Sequence, residues 1–216
     1  MKREQRTVLC MGANSTRSQP RAFSAFSLIE LLVVMLIIVL LTGLYWGGKA
    51  GDAERSKLAA CQQNLQKLFI SMQIYANENH DSFPQQPGAR SSEEALDKLV
   101  PKYTADTSLF ICPASGDQPL PGGESILKHR ISYAYYMGRT PGDAQAVVIT
   151  DEQANTQSKN PGQQIFSNSG KPPGNNHKKY GGNFLFSDGH VDSSVPNAAF
   201  SLVLTQGVQL LNPLPK

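Results

Sequence analysis

The stretch Ala25-Phe26-Ser27-Leu28-Ile29-Glu30-Leu31-Leu32-Val33-Val34 opens the most apolar part of the chain and carries one carboxylate, Glu30. From Phe26 to Trp46 there are 21 residues, of which only Glu30 is ionisable. As a helix they extend about 31 Å, close to the thickness of a bilayer's hydrocarbon core. Leu31 to Leu41 runs without a polar side chain, and Tyr45 and Trp46 close it with the aromatic pair that suits a membrane interface. A simple anchor or a secretory signal explains the length. Neither explains an acid near the start, which is costly in hydrocarbon unless it finds a partner.

Upstream, Lys2, Arg3, Arg6, Arg17 and Arg21 stand against Glu4 in residues 1–25. That segment carries a net +4, so the remaining 191 residues carry −1 of the chain's total of +3. The basic segment favours a cytoplasmic N-terminus, with residues beyond 47 on the far side. With the charge removed to one end, no basic stripe remains to track a phosphate backbone, and nucleic acid is not expected as a partner.

Phe26-Ser27-Leu28-Ile29-Glu30-Leu31-Leu32-Val33 resembles the class III leader and N-terminal helix of type IV prepilins and type II secretion pseudopilins. The resemblance implies a cleavable leader at 1–25 and cutting by a prepilin peptidase between Ala25 and Phe26. It also implies N-methylation of Phe26 and a pairing role for Glu30 with the amino terminus of a neighbouring subunit. The family usually has Gly before the cut, where this chain has Ala25, so slower processing is expected. The partners so implied are the peptidase, other pilin-like subunits held through the N-terminal helix, an inner-membrane assembly platform and the bilayer. The location implied is the inner membrane, single-pass, with the head periplasmic and open to extraction into a filament.

Beyond the span, Leu58, Cys61, Leu65, Leu68, Met72 and Tyr75 step by three and four, the spacing of an amphipathic helix. Residues 26–46 and 47–78 therefore read as the membrane half and the amphipathic half of one helix, with Gly43, Gly47 and Gly48 as a weak point between them. Residues 79–216 read as a loop-rich head, in keeping with 18 Gly and 14 Pro. Ser91-Ser92-Glu93-Glu94 has the form of a capping box before a short helix that ends near Val100. Phe110-Ile111-Cys112-Pro113 reads as a short buried segment. Ile131–Met137, Ala146–Thr150, Asn183–Ser187 and His190–Ser193 read as strands. Asp188-Gly189 between the last two predicts a two-residue hairpin turn. The fold class expected is α+β and pilin-like: a long N-terminal helix packed on a small antiparallel sheet with long loops.

Beyond the leader's Cys10, two cysteines remain, Cys61 and Cys112. In an oxidising compartment they are candidates for one disulfide, the alternative being two separate buried thiols. His177 and Asp188-Gly189-His190 form a C-terminal motif, within 177–192, that resembles the prepilin-related group named for a His, nine residues and Asp-Gly. Here ten residues intervene. A hydrogen-bonded turn accounts for these residues, and no cofactor is expected. Asp151 (or Glu152), His177, His190 and Asp192 are the groups that would hold a divalent metal if the fold brought them together. Catalysis is not expected: there is no G-x-S-x-G, no phosphate loop and no C-x-x-C. The function expected is a structural subunit of a type II secretion pseudopilus or related filament. The alternatives are a type IV pilus or DNA-uptake minor pilin, and a membrane-displayed binding module, for which Tyr133, Tyr135 and Tyr136 offer a surface.

Overall fold

The computed structural model describes residues 27–47, 49–143, 145–152, 160–162, 176–177, 181–193 and 203–216. Ala25 and Phe26 lie outside the described residues. The chain divides into two units, one ending at Gly47 and one beginning at Gly48.

The first unit contains helix α1, Leu28–Gly47. γ-Branched Leu and β-branched Ile and Val make its body, with no proline to interrupt the hydrogen-bond ladder. Glu30 sits in the first turn, where a negative charge complements the helix dipole. Near the other end, the Thr42 hydroxyl lies 2.8 Å from the Ile38 carbonyl and 3.0 Å from that of Val39. Its polar group is thus satisfied inside the helix. Leu28–Tyr45 is long and apolar enough to cross a membrane, and none of it is buried within the protein. Its large side chains are open, from Val33 at 44% to Leu28 at 81% exposure.

The second unit is built on helix α2, Lys49–Glu78. Its 30 residues extend about 45 Å. Cys61, Leu65, Leu68, Met72 and Ala76 form the fully buried stripe, while Ile70 and Ile74 face outward. The helix ends where Asn79 turns back: its side-chain amide donates to the Tyr75 carbonyl at 2.7 Å. His80 and Asp81 then take positive φ of 54° and 52°, which ends the helical path. Helix α3, Ser92–Leu96, follows. Neither bond of the capping box is made. Ser91 makes no side-chain cap bond, and Glu94 reaches past it to the Arg90 amide at 2.9 Å.

Among the described residues, five strands form one antiparallel sheet: β1 Tyr133–Met137, β2 Val147–Asp151, β3 Asn183–Phe186, β4 Val191–Ser193 and β5 Gln209–Leu211, in the order β4-β3-β2-β1-β5. This antiparallel sheet, with the long N-terminal helix, makes the fold α+β and pilin-like. β1 has both faces covered. Tyr133, Tyr135 and Met137 join the main core with the α2 stripe, Phe83, Phe110 and Ile131, whereas Ala134 and Tyr136 join a second cluster with Phe184, Leu204, Val208 and Leu210. The three tyrosines are therefore core residues, with 1% exposure or less. The two-residue alternation of a strand sends neighbours to opposite faces, and here both are dry.

Three features differ from the sequence reading. The β3–β4 connection is a three-residue loop, Ser187-Asp188-Gly189. The Phe186 amide donates to the His190 carbonyl, and the Gly189 amide donates to the Phe186 carbonyl, both at 3.0 Å. Gly189 has φ of 90°, so the glycine occupies the left-handed last position of a longer loop. A bulge between Val147 and Ile149 shifts the β2–β3 register by one. Strand β5, unforeseen, pairs with β1 through Tyr135–Leu211, Tyr136–Leu210 and Met137–Gln209.

Candidate functional site

Two places concentrate the groups singled out by sequence. The first is the start of α1. Glu30 is exposed there among exposed Leu28, Ile29, Leu31 and Leu32. A carboxylate on an apolar, unburied helix face has an unmet demand for a cation or hydrogen-bond donor when that face enters hydrocarbon.

The second place lies inside the head. Cys61 comes from the buried stripe of α2, and Cys112 from the segment after the 3-10 turn Thr107–Phe110. Asp151 comes from the end of β2, and His177 from the loop before β3. All four are buried, and one ligand atom from each lies within 4.8 Å of the other three. The Cys61 sulfur is 3.4 Å from Asp151 Oδ1, the Cys112 sulfur is 3.3 Å from His177 Nε2, and His177 Nε2 is 3.5 Å from Asp151 Oδ2. Both cysteines are free thiols. The candidate disulfide partners thus stand in one cluster without a bond between them.

A second layer of hydrogen bonds holds these groups. Tyr133 Oη lies 3.3 Å from the Cys61 sulfur. Asp151 accepts from the Asn183 amide at 2.9 Å and from the Asn176 side chain at 3.2 Å. Asn176 also donates to the Ser132 carbonyl at 2.7 Å. The Ala114 amide points at the Cys112 sulfur at 3.5 Å.

The environment splits the thiols. Burial pushes Cys61 well up, and Cys112 and Asp151 add to the shift. Cys112 is held down to about 7, first by its contact with Cys61 and then by His177, against the effect of burial. Burial also raises the Asp151 carboxyl, outweighing His177 and the amide donors. For His177, burial acts downward, but Cys112 and Asp151 carry the net shift upward. Cys112 is therefore the thiol that gives up its proton first.

Asp151 and His177 meet; His190 and Asp192 do not join them. Both of these are exposed on the hairpin. His190 instead lies against Asp188, Nδ1 to Oδ1 at 2.5 Å, and stacks on Phe186 at 4.1 Å between centroids. Glu152 pairs with Arg130 at 2.5 Å. The four metal candidates taken from sequence are thus divided between the interior and the surface. The two cysteines were missing from that set, although Cys61 lies on the α2 stripe and so was marked as inward-facing.

Residues 20–45 match the family model of the prokaryotic N-terminal methylation motif. The methylation motif covers Ala25, Phe26 and Glu30, and it supports a prepilin-like N-terminal segment. It stops short of the head, where His177 and Asp188 lie. No curated protein and no solved structure matches the chain.

Proposed function

We propose that the protein is a pilin-like structural subunit, cut by a prepilin peptidase after Ala25, methylated at Phe26, and assembled through α1 into a type II secretion pseudopilus or related filament. The observation that carries this reading is the methylation motif laid over a fully exposed apolar helix whose one acid, Glu30, occupies the first turn. Before assembly the helix is held in the inner membrane, with the basic leader in the cytoplasm and the head in the periplasm. After assembly the same apolar surface packs on sister helices, and Glu30 meets the amino terminus of a neighbour. The head contributes shape and surface, not catalysis. Mass spectrometry of the membrane-associated protein tests the proposal. A mature chain beginning at N-methyl-Phe26 is expected; a chain that retains residues 1–25 overturns it.

A further inference from the structure

We propose that Cys61, Cys112, Asp151 and His177 form a tetrahedral binding site for a divalent transition metal of the zinc class. The donor set decides the class. Two sulfurs and an imidazole nitrogen suit zinc, whereas calcium and magnesium take oxygen ligands. Geometry agrees. Bonds of about 2.3 Å to sulfur and about 2.0–2.1 Å to nitrogen or oxygen place tetrahedral ligand atoms about 3.3–3.8 Å apart. Three of the separations between different ligand types are 3.3 Å (Cys112 to His177), 3.4 Å (Cys61 to Asp151 Oδ1) and 3.5 Å (His177 to Asp151 Oδ2).

Burial supplies an independent argument. Asp151 is 1% exposed and the sulfurs 1% or less, so three groups able to carry negative charge share one dry volume. Taking an anion out of water is costly unless a cation compensates it. A single imidazolium would offset one of the three charges; a dication offsets two and bonds to every donor, leaving the loaded site at −1. The surrounding layer has the form that orients metal ligands: Tyr133 on Cys61, and Asn176 and Asn183 on Asp151. Loading would release the thiol protons of Cys61 and Cys112 to solvent, leaving two thiolates, a carboxylate and a neutral imidazole bound through Nε2. The metal would then staple α2, the segment after the 3-10 turn, β2 and the loop before β3.

The test uses the full chain in detergent, reduced and stripped with a chelator. Titration with cobalt(II) is expected to give the visible bands of a tetrahedral ion and a thiolate-to-cobalt charge-transfer band. Both should saturate at one equivalent and be displaced by zinc(II). Cys112→Ser and His177→Ala should abolish the charge-transfer band or its tetrahedral companions, while His190→Ala and Asp192→Asn leave both unchanged. Asn176→Ala, a milder change outside the ligand set, should weaken zinc binding by about 10–100-fold. Because ligand variants can fail to fold, the unaltered chain provides a second measurement: zinc should protect both thiols from alkylation. Absence of cobalt bands and of zinc protection in the unaltered chain overturns the proposal. So does a Cys61–Cys112 disulfide in protein isolated from its own membranes without reductant. None of these outcomes depends on cleavage at Phe26.

Discussion

Gly189 lies against the ring of Phe69, so close that a Cβ at position 189 would stand 2.5 Å from Phe69 Cε1. The hairpin loop is thereby seated on α2, whose Phe69 in turn meets Phe83 edge to face at 6.3 Å. Two separate demands fall on one residue: a φ of 90° and the absence of a side chain. Gly189→Ala should cost about 1–3 kcal/mol for the backbone and a further 1–3 kcal/mol or so for overpacking. Thermal melting of the full chain in detergent measures the sum. Adding Phe69→Leu should recover the steric part alone; an unchanged melting temperature in the single variant would refute the contact.

Glu93 is a fully buried carboxylate that accepts from two backbone amides distant in the chain, Ile131 and Leu214, each at 3.0 Å. Removing it by Glu93→Ala leaves both donors without this acceptor, at about 1–3 kcal/mol each. Hydrogen exchange should accelerate at the amides of Ile131 and Leu214 before it does at Tyr135. Glu93→Gln, which keeps one acceptor oxygen, should lie between. Equal protection in all three proteins would show that the acceptor is dispensable.

Glu30 is expected to matter for assembly and not for insertion. Glu30→Ala removes the one acid from the apolar helix, so membrane insertion should be retained or improved. Filament formation should fall, because truncating one partner of a buried charge pair costs about 2–5 kcal/mol. Fractionation measures insertion, and shearing or pull-down measures filaments. Wild-type filament yield with Glu30→Ala would remove the pairing role.

Asp188 is held below its ordinary 3.8 by the backbone amide of His190 and then by its ring. A depressed carboxyl stabilises the fold above its unfolded pKa, and that contribution disappears as pH falls through the folded value. The hairpin should therefore loosen only at the acidic end, below pH 3.8. A carbon-detected titration of the Asp188 carboxyl should give a midpoint under 3.8, with the His190 amide shift following the same curve. A midpoint at or above the ordinary value would contradict the contact, and Asp188→Asn should remove the transition.

The elements most legible in sequence were those whose burial is set by one neighbour at a time. α1 follows from composition, and the α2 stripe from a three-and-four spacing that places Cys61, Leu65, Leu68 and Met72 on one face. The strands β1 to β4 follow from aromatic and β-branched runs. β5 was invisible because Gln209-Leu210-Leu211 is three residues long between turn-forming Gly207 and Pro213; only pairing with β1 makes it a strand. The Asp-Gly signal located a hairpin but gave the wrong loop length, since φ at Gly189 suits either turn. The buried cluster was least legible. Its ligands are dispersed from residue 61 to residue 177, and no spacing rule relates a helix stripe, a 3-10 turn, a strand end and a loop. Their convergence is a property of topology.

The position of β5 also bears on how the head is made. During synthesis β1 emerges more than 70 residues before Leu211, and until then it is a sheet edge. Its outer pairing groups remain open, and Tyr136 waits for Leu204, Val208 and Leu210 to cover it. An open edge backed by an uncovered aromatic face is a template for wrong pairing. The order of the strands along the chain therefore leaves the head with an open edge until its last strand arrives.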